Sequence, residues 1–451
     1  MQAIILAAGN GEKIAPFNIT RPKSMIPVGN KPIIHHILEG LSKTSIRDII
    51  IVVGKLGKQI INYVEKIKEN LNLNIKYVEQ KYLSGTADAL LTAEPYIKDN
   101  ILLVYGDIIL DKANFKEMLK FFQNNTIDGV VGYIKPKIEE YGFGLSLKED
   151  NVKKIEWWGG SDGRVAGIYI FKKDLLNFVK INPGIMKDST IGIMPPLESE
   201  LNQSINDMIN EKKKIKGFEI KGYYEDVDFP WQIIYANLKY YQFLSSTLKN
   251  IIIDEGGYVS EKARIKAPIY VGKNSYIGDN VLITKPLFLG KNTRIDNGAI
   301  VDGGIIGDDT VIENYSYTRA VIGNNVKIGH GAEVFGVVFD KVYIIHYSEV
   351  AGVIGENTDI GAATVVGTWR FDSEKQVISV KGKKFIGESV AYIGDYCRTG
   401  VNAILMPGVR VGPYSIVGPG VILYKDLPPY KMILAKQEYV EKDWGPNKYG
   451  W

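Results

Sequence analysis

A six-residue spacing of glycines in the second half of the chain constrains the fold more than any other sequence feature. Four stretches after about residue 250 keep this spacing, each in its own frame, and an aliphatic residue precedes most of the glycines. The glycines are Gly272, Gly278, Gly290, Gly323, Gly329, Gly355, Gly361, Gly367, Gly394, Gly400, Gly412 and Gly418. The pattern is typical of a parallel β-helix, where the aliphatic side chain points into the coil and glycine turns the corner. Frame shifts near 296–322 and 330–354 predict loops or irregular coils.

The first half of the chain alternates apolar strands with helices instead. The run Ala3–Ala8 is apolar at every position, as in strands of a parallel sheet that helices cover on both faces. The segments that follow are predicted as helix 32–43, strand 48–53, helix 57–70, strand 75–79, helix 85–95 and strand 101–105. This alternation predicts a doubly wound α/β sheet. Its ligands should lie beyond the carboxyl ends of the strands, beside loops 9–16 and 106–107.

Length and charge bound the organisation of the protein. A chain of 451 residues is too long for one compact core, and we expect domains at 1–245 and 250–426 with a tail at 427–451. A net charge of +4, from 55 basic and 51 acidic residues, favours neither a nucleic-acid nor a membrane-surface partner. The N-terminal apolar run is too short for a membrane span and lacks a basic flank. A single cysteine, Cys397, fits a reducing compartment, and we expect a cytoplasmic protein.

The turn after the first strand carries the strongest functional signal. Gly9-Asn10-Gly11 would bring backbone N–H groups close to phosphate oxygens, with Lys13 and Lys23 as neutralising cations. Ile14 replaces the third glycine of a dinucleotide-binding fingerprint, so that interpretation is excluded. With L-A-A-G before the turn and R-P-K after it, the chain resembles the sugar-1-phosphate nucleotidylyltransferases. It is most similar to uridylyl- or thymidylyltransferases fused to a hexapeptide acetyltransferase, and the resemblance covers nearly the whole chain.

The resemblance implies a set of contacts in the first half. The phosphates are expected to contact Lys23 and Lys13, and Mg²⁺ is expected on Asp107 and Asp226. The implied nucleotide contacts are Leu6, Ala8, Gly9, Gly11, Gln80, Gly85 and Thr86, with Gln80 reading uracil or thymine. The implied sugar contacts are Tyr141, Gly142, Glu156 and Gly167.

Four positions depart from the family pattern. Lys13 stands where the family has arginine, and it cannot offer the bidentate fork of a guanidinium group. Trp157 replaces the lysine of a sugar-site E-K-P motif, Val165 replaces the asparagine of N-A-G, and Asp228 replaces a common glycine. These changes leave the sugar preference open.

For the second half, the resemblance implies a left-handed β-helix, a homotrimer and acetyl-CoA as co-substrate. His346 is the candidate general base and Arg319 the candidate contact for an amino-sugar phosphate. His346 lies one position away from the family spacing, and one step along a strand turns a side chain to the opposite face unless a bulge restores it. We therefore expect weak or absent acetyl transfer.

Three functions follow from these observations. The leading one is a cytoplasmic enzyme that makes a nucleoside-diphosphate sugar from a sugar-1-phosphate and UTP or dTTP. A non-catalytic regulatory or scaffolding homologue that binds nucleotide sugars is the alternative, favoured by the altered sugar site. A stand-alone acyltransferase is the third, and the displaced His346 argues against it. Retention of Lys23, Asp107 and Asp226 favours the enzyme over the binding protein.

Overall fold

The computed structural model describes residues 1–135, 142–157, 159–184 and 198–449. The predicted sugar contact Tyr141 lies outside the described residues. None of the described helices combines the length and the hydropathy needed to cross a lipid bilayer.

Strands and helices alternate through the first half, as the apolar pattern predicts. The strands are β1 (Gln2–Ala7), β2 (Pro27–Val28), β3 (Lys31–Pro32), β4 (Asp48–Val53), β5 (Asn74–Glu79), β6 (Ile101–Tyr105), β7 (Ile108–Leu110), β8 (Gly129–Ile134), β9 (Phe143–Lys148), β10 (Asn151–Trp157), β11 (Gly163–Phe171), β12 (Ile215–Glu219) and β13 (Tyr224–Asp226). The helices are α1 (Ile33–Ser42), α2 (Gly57–Ile67), α3 (Thr86–Ala93), α4 (Ala113–Gln123), α5 (Leu175–Lys180), α6 (Leu201–Asn210) and α7 (Pro230–Thr247). Helix α3 ends two residues before the predicted Pro95, which lies in a short 3₁₀ turn over Glu94–Tyr96.

A nine-stranded sheet in the order β5-β4-β1-β6-β11-β8-β12-β10-β9 forms the centre of this half. Strands β5, β4, β1 and β6 are parallel, while β11 runs antiparallel to β6 and makes the sheet mixed. Ile5 packs into the core on one face and Ile4 into the core on the other. The predicted α/β sheet is confirmed, and the carboxyl ends of β1 and β6 meet at one edge.

The second half forms the predicted parallel β-helix. Its short strands are β14 (Ile252–Ile253), β15 (Tyr258–Val259), β16 (Arg264–Ile265), β17 (Ile269–Val271), β18 (Tyr276–Ile277), β19 (Leu282–Ile283), β20 (Leu287–Leu289), β21 (Arg294–Ile295), β22 (Ile300–Ile306), β23 (Val311–Ile312), β24 (Tyr317–Ile322), β25 (Lys327–Ile328), β26 (Glu333–Val338), β27 (Tyr343–Ile344), β28 (Glu349–Ile354), β29 (Asp359–Ile360), β30 (Val365–Val366), β31 (Gln376–Val380), β32 (Lys383–Gly387), β33 (Ala391–Ile393), β34 (Arg398–Thr399), β35 (Ile404–Leu405), β36 (Arg410–Val411), β37 (Ile416–Val417), β38 (Ile422–Leu423) and β39 (Met432–Ile433). Except for the hairpin of β31 and β32, they stack in parallel into two sheets of 14 and 10 strands. A four-residue helix, α8 (Pro446–Tyr449), follows near the end of the chain.

The frame shifts of the glycine repeat arise from shorter coils. Ile269 pairs with Leu287 on the next coil, whereas Tyr317 pairs with Glu333, and Glu333 in turn pairs with Glu349. Each of the two later coils therefore contains two fewer residues than the earlier one. The prediction of an irregular coil near 296–322 is confirmed, because the pairing of β22 with β24 shifts register between Val301 and Gly304. The same prediction near 330–354 is wrong, because a regular coil that is shortened by two residues also shifts the glycine frame.

One insertion does interrupt the coils. Ile354 pairs with Ile393, a separation along the chain more than twice that of a normal coil, and the extra residues include the antiparallel hairpin of β31 and β32. Ile378 and Val380 of this hairpin are buried in the hydrophobic core of the first half. The hairpin inserted in the β-helix therefore packs against the N-terminal half of the chain.

Candidate active site

The glycine-rich turn after β1 borders a cavity of about 450 Å³. Gly11 adopts a left-handed backbone with φ of +61° and starts the 3₁₀ turn Glu12–Ile14. A Cβ atom at Gly11 would lie 2.9 Å from Cγ of Lys23. Glycine is thus needed here both for the backbone conformation and for the close approach of Lys23.

The residues predicted to contact nucleotide and phosphates line this single cavity. They are Leu6, Ala8, Gly9, Gly11, Lys13, Lys23, Gln80, Gly85 and Thr86. Glu198 and Glu200 also line it, and the Thr86 hydroxyl donates a hydrogen bond to Glu200 Oε2 at 3.0 Å. Sequence reasoning missed both glutamates because they lie far from the turn along the chain and belong to no motif.

Three carboxylates converge beside the turn. Asp107 follows β6, and Asp226 ends β13, which pairs with β7 so that Asp226 lies opposite Ile108. One oxygen from each of Asp107, Asp226 and Asp228 lies within 4.8 Å of the others. The structure therefore brings together the two predicted metal ligands and adds Asp228, at a position where the family commonly has glycine.

Two lysines neutralise part of this negative charge. Lys23 Nζ is 2.9 Å from Asp107 Oδ2 and also contacts Asp228 Oδ1, while Lys13 Nζ is 3.1 Å from Asp228 Oδ2. Burial opposes the charged form of Lys23, but Asp107, Asp228 and Asp226 outweigh it and raise the pKa of the ammonium group. Lys23 is therefore a permanent cation between the carboxylates.

The pKa values of Asp226 and Asp228 are shifted in opposite directions. Burial, together with the charges of Asp228 and Asp107, raises the pKa of Asp226 well above its ordinary value. For Asp228, burial acts in the same direction, but Lys23 and Lys13 outweigh it and lower the pKa of this carboxyl. Asp226 therefore binds a proton or another cation more readily than Asp228 does.

Gln80 is buried at the nucleotide side of the cavity with its amide orientation fixed. Its Nε2 donates to Asp88 Oδ2 at 2.8 Å and to the carbonyl of Gly85 at 3.3 Å. Since both amide protons are used within the protein, Oε1 is the atom that could accept a hydrogen bond from a ligand.

The residues predicted to contact sugar are less closely grouped. Gly167 has φ of +69° and lies against the ring of Tyr105, and the carbonyl of Gly142 accepts a hydrogen bond from Arg164 at 3.4 Å. Glu156 Oε1 is 2.5 Å from Lys154 Nζ. A second cavity, of about 1040 Å³, lies beside Asp226 and Asp228, yet none of these three predicted contacts is among its described lining residues.

Comparison with known proteins identifies the fold and its chemistry. The family model "Nucleotidyl transferase" matches residues 2–227. The chain belongs to the nucleotidyl transferase family. A relative from Sulfurisphaera tokodaii, a bifunctional sugar-1-phosphate nucleotidylyltransferase/acetyltransferase, is 31% identical over 95% of this chain and 98% of its own. A bifunctional protein GlmU from Methanococcus vannielii is 32% identical over 98% and 99%. One from Methanocaldococcus jannaschii is 31% identical over 98% and 99%.

The C-terminal half of this nucleotidyl transferase also matches a family model. Residues 391–425 match "Bacterial transferase hexapeptide (six repeats)". Arg319 lies on β24 with its side chain 63% exposed, and its Nε is 3.7 Å from Asp302 Oδ2. It lines a cavity of about 690 Å³ between α7 and the β-helix, together with Lys285 and Tyr241.

His346 lies at a coil corner of the nucleotidyl transferase, in a turn after β27, and is exposed. Its ring lies edge-on to Tyr347 at 5.3 Å between centroids. The predicted face shift assumed that His346 continues a strand, and that assumption is wrong because β27 ends at Ile344. Within one chain, His346 is not among the described residues that line the cavity of Arg319. That the two residues meet in a cleft between subunits stays a prediction.

Proposed function

We propose that the N-terminal half transfers a nucleotidyl group from UTP or dTTP to a sugar-1-phosphate and releases pyrophosphate. The observation that carries the proposal is the meeting of a glycine-rich turn, Lys23 and Asp107 in one cavity. The Sulfurisphaera tokodaii relative, whose name includes sugar-1-phosphate nucleotidylyltransferase, supports the proposal over nearly the full length of both chains.

Asp107 and Asp226 are the proposed ligands of a Mg²⁺ ion, with Asp228 near enough to take part. Carboxylate oxygens are the ligands that Mg²⁺ prefers. The raised pKa of Asp226, caused by burial and by the charges of Asp228 and Asp107, supports a cation here, since a bound cation would relieve both. When bound, the ion would offset the repulsion between two anionic reactants.

The proposed reaction is an in-line displacement. A phosphate oxygen of the sugar-1-phosphate forms a bond to the α-phosphorus while the bond from that phosphorus to the pyrophosphate oxygen breaks. No base is needed, because the attacking oxygen is already anionic. Backbone N–H groups near Gly9 and Gly11 would orient the phosphates, and Lys23 would stabilise charge on them as the bonds change.

Gln80 is the proposed reader of the base. Uracil and thymine carry an N3–H donor, which Oε1 of Gln80 can accept, whereas cytosine and adenine present an acceptor nitrogen at the corresponding position. Because Gln80 is buried and its amide is fixed by Asp88 and Gly85, it cannot flip to offer a donor without losing both bonds.

The deciding experiment is pyrophosphate release across a panel of nucleoside triphosphates and sugar-1-phosphates. We expect turnover with UTP or dTTP and a loss of kcat of about 100-fold or more in Lys23→Met and Asp226→Asn. The first variant loses a cation that acts on the reacting phosphates, and the second loses a proposed ligand of the metal ion. Lys58→Met, an exposed lysine on α2, is the matched control and should behave as the wild type. Wild-type activity in Asp226→Asn, or no turnover with any triphosphate, would contradict the proposal.

The β-helix is proposed to acetylate an amino-sugar-1-phosphate weakly or not at all. The relative's name includes an acetyltransferase, yet within one chain His346 is not among the described residues that line the cavity of Arg319. Supplying acetyl-CoA with glucosamine-1-phosphate or galactosamine-1-phosphate and following thiol release tests this directly. Robust turnover that His346→Ala abolishes would show that the corner histidine is a working general base.

Assembly into a homotrimer through the β-helix is the remaining proposal. Its coils leave aliphatic and aromatic side chains exposed along the outer faces, including Ile300, Tyr343 and Ile422. Sedimentation equilibrium at micromolar concentration should give three times the chain mass, and a monomer would contradict it.

A further inference from the structure

The hairpin inserted in the β-helix reaches the candidate active site of the same chain. We call residues 376–387, which comprise β31 and β32, the arm. Lys381, at the tip of the arm, lines the 450 Å³ cavity together with Gly9, Gly11 and Lys13. Lys384, on its second strand, lines the neighbouring cavity beside Asp226.

The arm is held firmly against the N-terminal half. Ile378 and Val380 are 3% and 4% exposed and belong to the core of that half. The ring of Phe385 lies 4.6 Å from that of Phe229, the residue after Asp228. A Cβ at Gly387 would lie 2.9 Å from Cε3 of Trp231, so the arm and the start of α7 are in close contact.

The tip of the arm has a defined conformation. Val380 pairs with Lys383, and the two residues between them, Lys381 and Gly382, have φ of +50° and +74°. A two-residue loop with two positive φ values is the tight hairpin turn that matches the twist of its strands. Arg410 Nη2 also donates to the carbonyl of Ser379 at 2.9 Å, which ties the arm to its own coil. The position of Lys381 is therefore set by the β-helix.

The ion pair of Lys381 differs from those of the other two lysines in the cavity. Lys13 and Lys23 contact Asp228 at the carboxylate cluster, whereas Lys381 Nζ is 2.5 Å from Oε2 of Glu12, inside the phosphate-binding turn. Both partners of this pair are about half exposed, at 53% and 55%. Ion pairs of this kind contribute about 0–1 kcal/mol, so Lys381 can exchange the carboxylate for a phosphate at little cost.

We propose that Lys381, which the β-helix brings to the site, binds the β- and γ-phosphates of the nucleoside triphosphate. A lysine held at the glycine-rich turn can donate to phosphate oxygens that lie beyond the α-phosphate. The inference rests on the proposed nucleotidyl transfer for its substrate, and it makes the second domain part of the first domain's site.

The experiment compares triphosphate with monophosphate binding in the full-length chain. Isothermal titration would measure the affinities of UTP, dTTP, UMP and dTMP for the wild type, Lys381→Met and Lys381→Arg. We expect Lys381→Met to weaken triphosphate binding about three- to tenfold and to leave monophosphate binding unchanged, because the monophosphates lack the groups that Lys381 contacts. Lys381→Arg, which keeps the charge, should restore most of the affinity.

Two controls separate this role from others. Lys375→Met removes an exposed lysine just before the arm, with the same change in charge, and should leave both affinities unaltered. Thermal unfolding of Lys381→Met should match the wild type. Equal weakening of UTP and UMP, or no change in either, would overturn the inference. If the wild type binds UTP but shows no turnover, nucleotidyl transfer fails while the Lys381 result still stands.

Discussion

At the scale of single residues, the lysines and aspartates of the candidate site form ion pairs that fix the positions of one another's side chains. Lys23 forms ion pairs with Asp107 and Asp228, and it has to share its charge when a phosphate group binds. The electrostatic interactions are strong because these side chains are largely removed from water. Preorganised charge of this kind does not need to rearrange during the reaction, which is where its catalytic value lies.

His36, on α1, provides a pH-dependent test of the same half of the chain. Burial, aided by the charge of Lys112, lowers its pKa to about 3, and its Nε2 donates to the carbonyl of Val28 at 2.9 Å. Below pH of about 6.5 the unfolded chain takes up a proton at this residue that the folded chain does not. The stability contributed by neutral His36 is therefore present above that pH and is lost as the pH falls toward 3.

We expect His36→Gln to remove this dependence, because glutamine keeps a donor for Val28 but does not titrate. Denaturant unfolding at a series of pH values should show the stability of the wild type falling relative to the variant by about 1.4 kcal/mol per pH unit below pH 6. Between pH 7 and 8 the difference should be constant, which serves as the internal control. A constant difference down to pH 4 would mean that His36 is protonated in the folded protein.

Individual residues of the candidate site can be predicted from the sequence where a motif follows a strand. Gly11, Lys23 and Asp107 are predictable because a strand must deliver its loop to the carboxyl edge of the sheet, and the structure brings them together in one cavity. Asp228 is harder to predict as a member of the carboxylate cluster, because comparison with the family pattern shows it only as a replacement of glycine. Its spacing of two from Asp226 was the available signal, since such residues share a face in extended chain.

At the scale of elements, the bends of the long β-helix strands depend on glycine. Gly304, Gly336 and Gly352 have φ of +136°, +103° and +138° and lie on stacked coils at the corner that faces α7. A Cβ at Gly352 would lie 1.8 Å from the carbonyl oxygen of Ala391, a distance that no side-chain adjustment can relieve. The backbone of one coil thus occupies the space that a side chain on its neighbour would need.

We expect Gly352→Ala to destabilise the protein by about 3 kcal/mol or more, since both strain and overlap must be accommodated. Gly420→Ala is the matched comparison, because Gly420 also has positive φ, +67°, but a Cβ there would meet nothing within 4 Å. Gly420→Ala should lower the free energy of unfolding only by the backbone strain, about 1 kcal/mol. Denaturant unfolding of both variants measures the two values, and equal costs would show that the corner can relax.

Elements are predictable in proportion to how regular their apolar pattern is. The strands 48–53 and 101–105 are predicted at their observed bounds because nearly every position faces a core. A shift of the glycine frame is compatible with a loop, an irregular coil or a shortened regular coil, and the frame alone cannot separate the three. The arm cannot be predicted from the glycine repeat, because a short hairpin inside an insertion does not continue that repeat. Its contacts in the N-terminal half are also distant in sequence.

At the scale of the whole molecule, one hydrophobic cluster spans the two halves. Val337, Phe339 and Val353 of the β-helix belong to the same buried cluster as Ile5 and Phe17 of the first half. The rings of Phe17 and Phe339 lie 5.6 Å apart. Because this interface is buried and apolar, we expect the halves to unfold as one cooperative unit and not as two independent domains.

An ion pair at the same interface allows this expectation to be tested. Arg21, inside the R-P-K motif, contacts the β-helix and not the cavity: its Nη2 is 2.6 Å from Asp395 Oδ2 and 3.2 Å from Glu356 Oε2. Asp395 is 1% exposed, so removing Arg21 would leave a buried carboxylate without its cation. Breaking a buried pair from one side costs about 3–5 kcal/mol, far more than the pair contributes when intact.

We therefore expect Arg21→Met to lower the free energy of unfolding by about 3 kcal/mol or more and to split the single transition into two, because it weakens the contact that couples the halves. Lys341→Met is the matched control: Lys341 also pairs with Glu356, at 3.3 Å, but is 57% exposed, so its loss should cost less than about 1 kcal/mol.

Adding Asp395→Asn to Arg21→Met should recover part of the loss, since it removes the uncompensated charge. Circular dichroism in denaturant at one chain concentration gives all three values, and equal effects of Arg21→Met and Lys341→Met would show that the interface is held by apolar contacts alone.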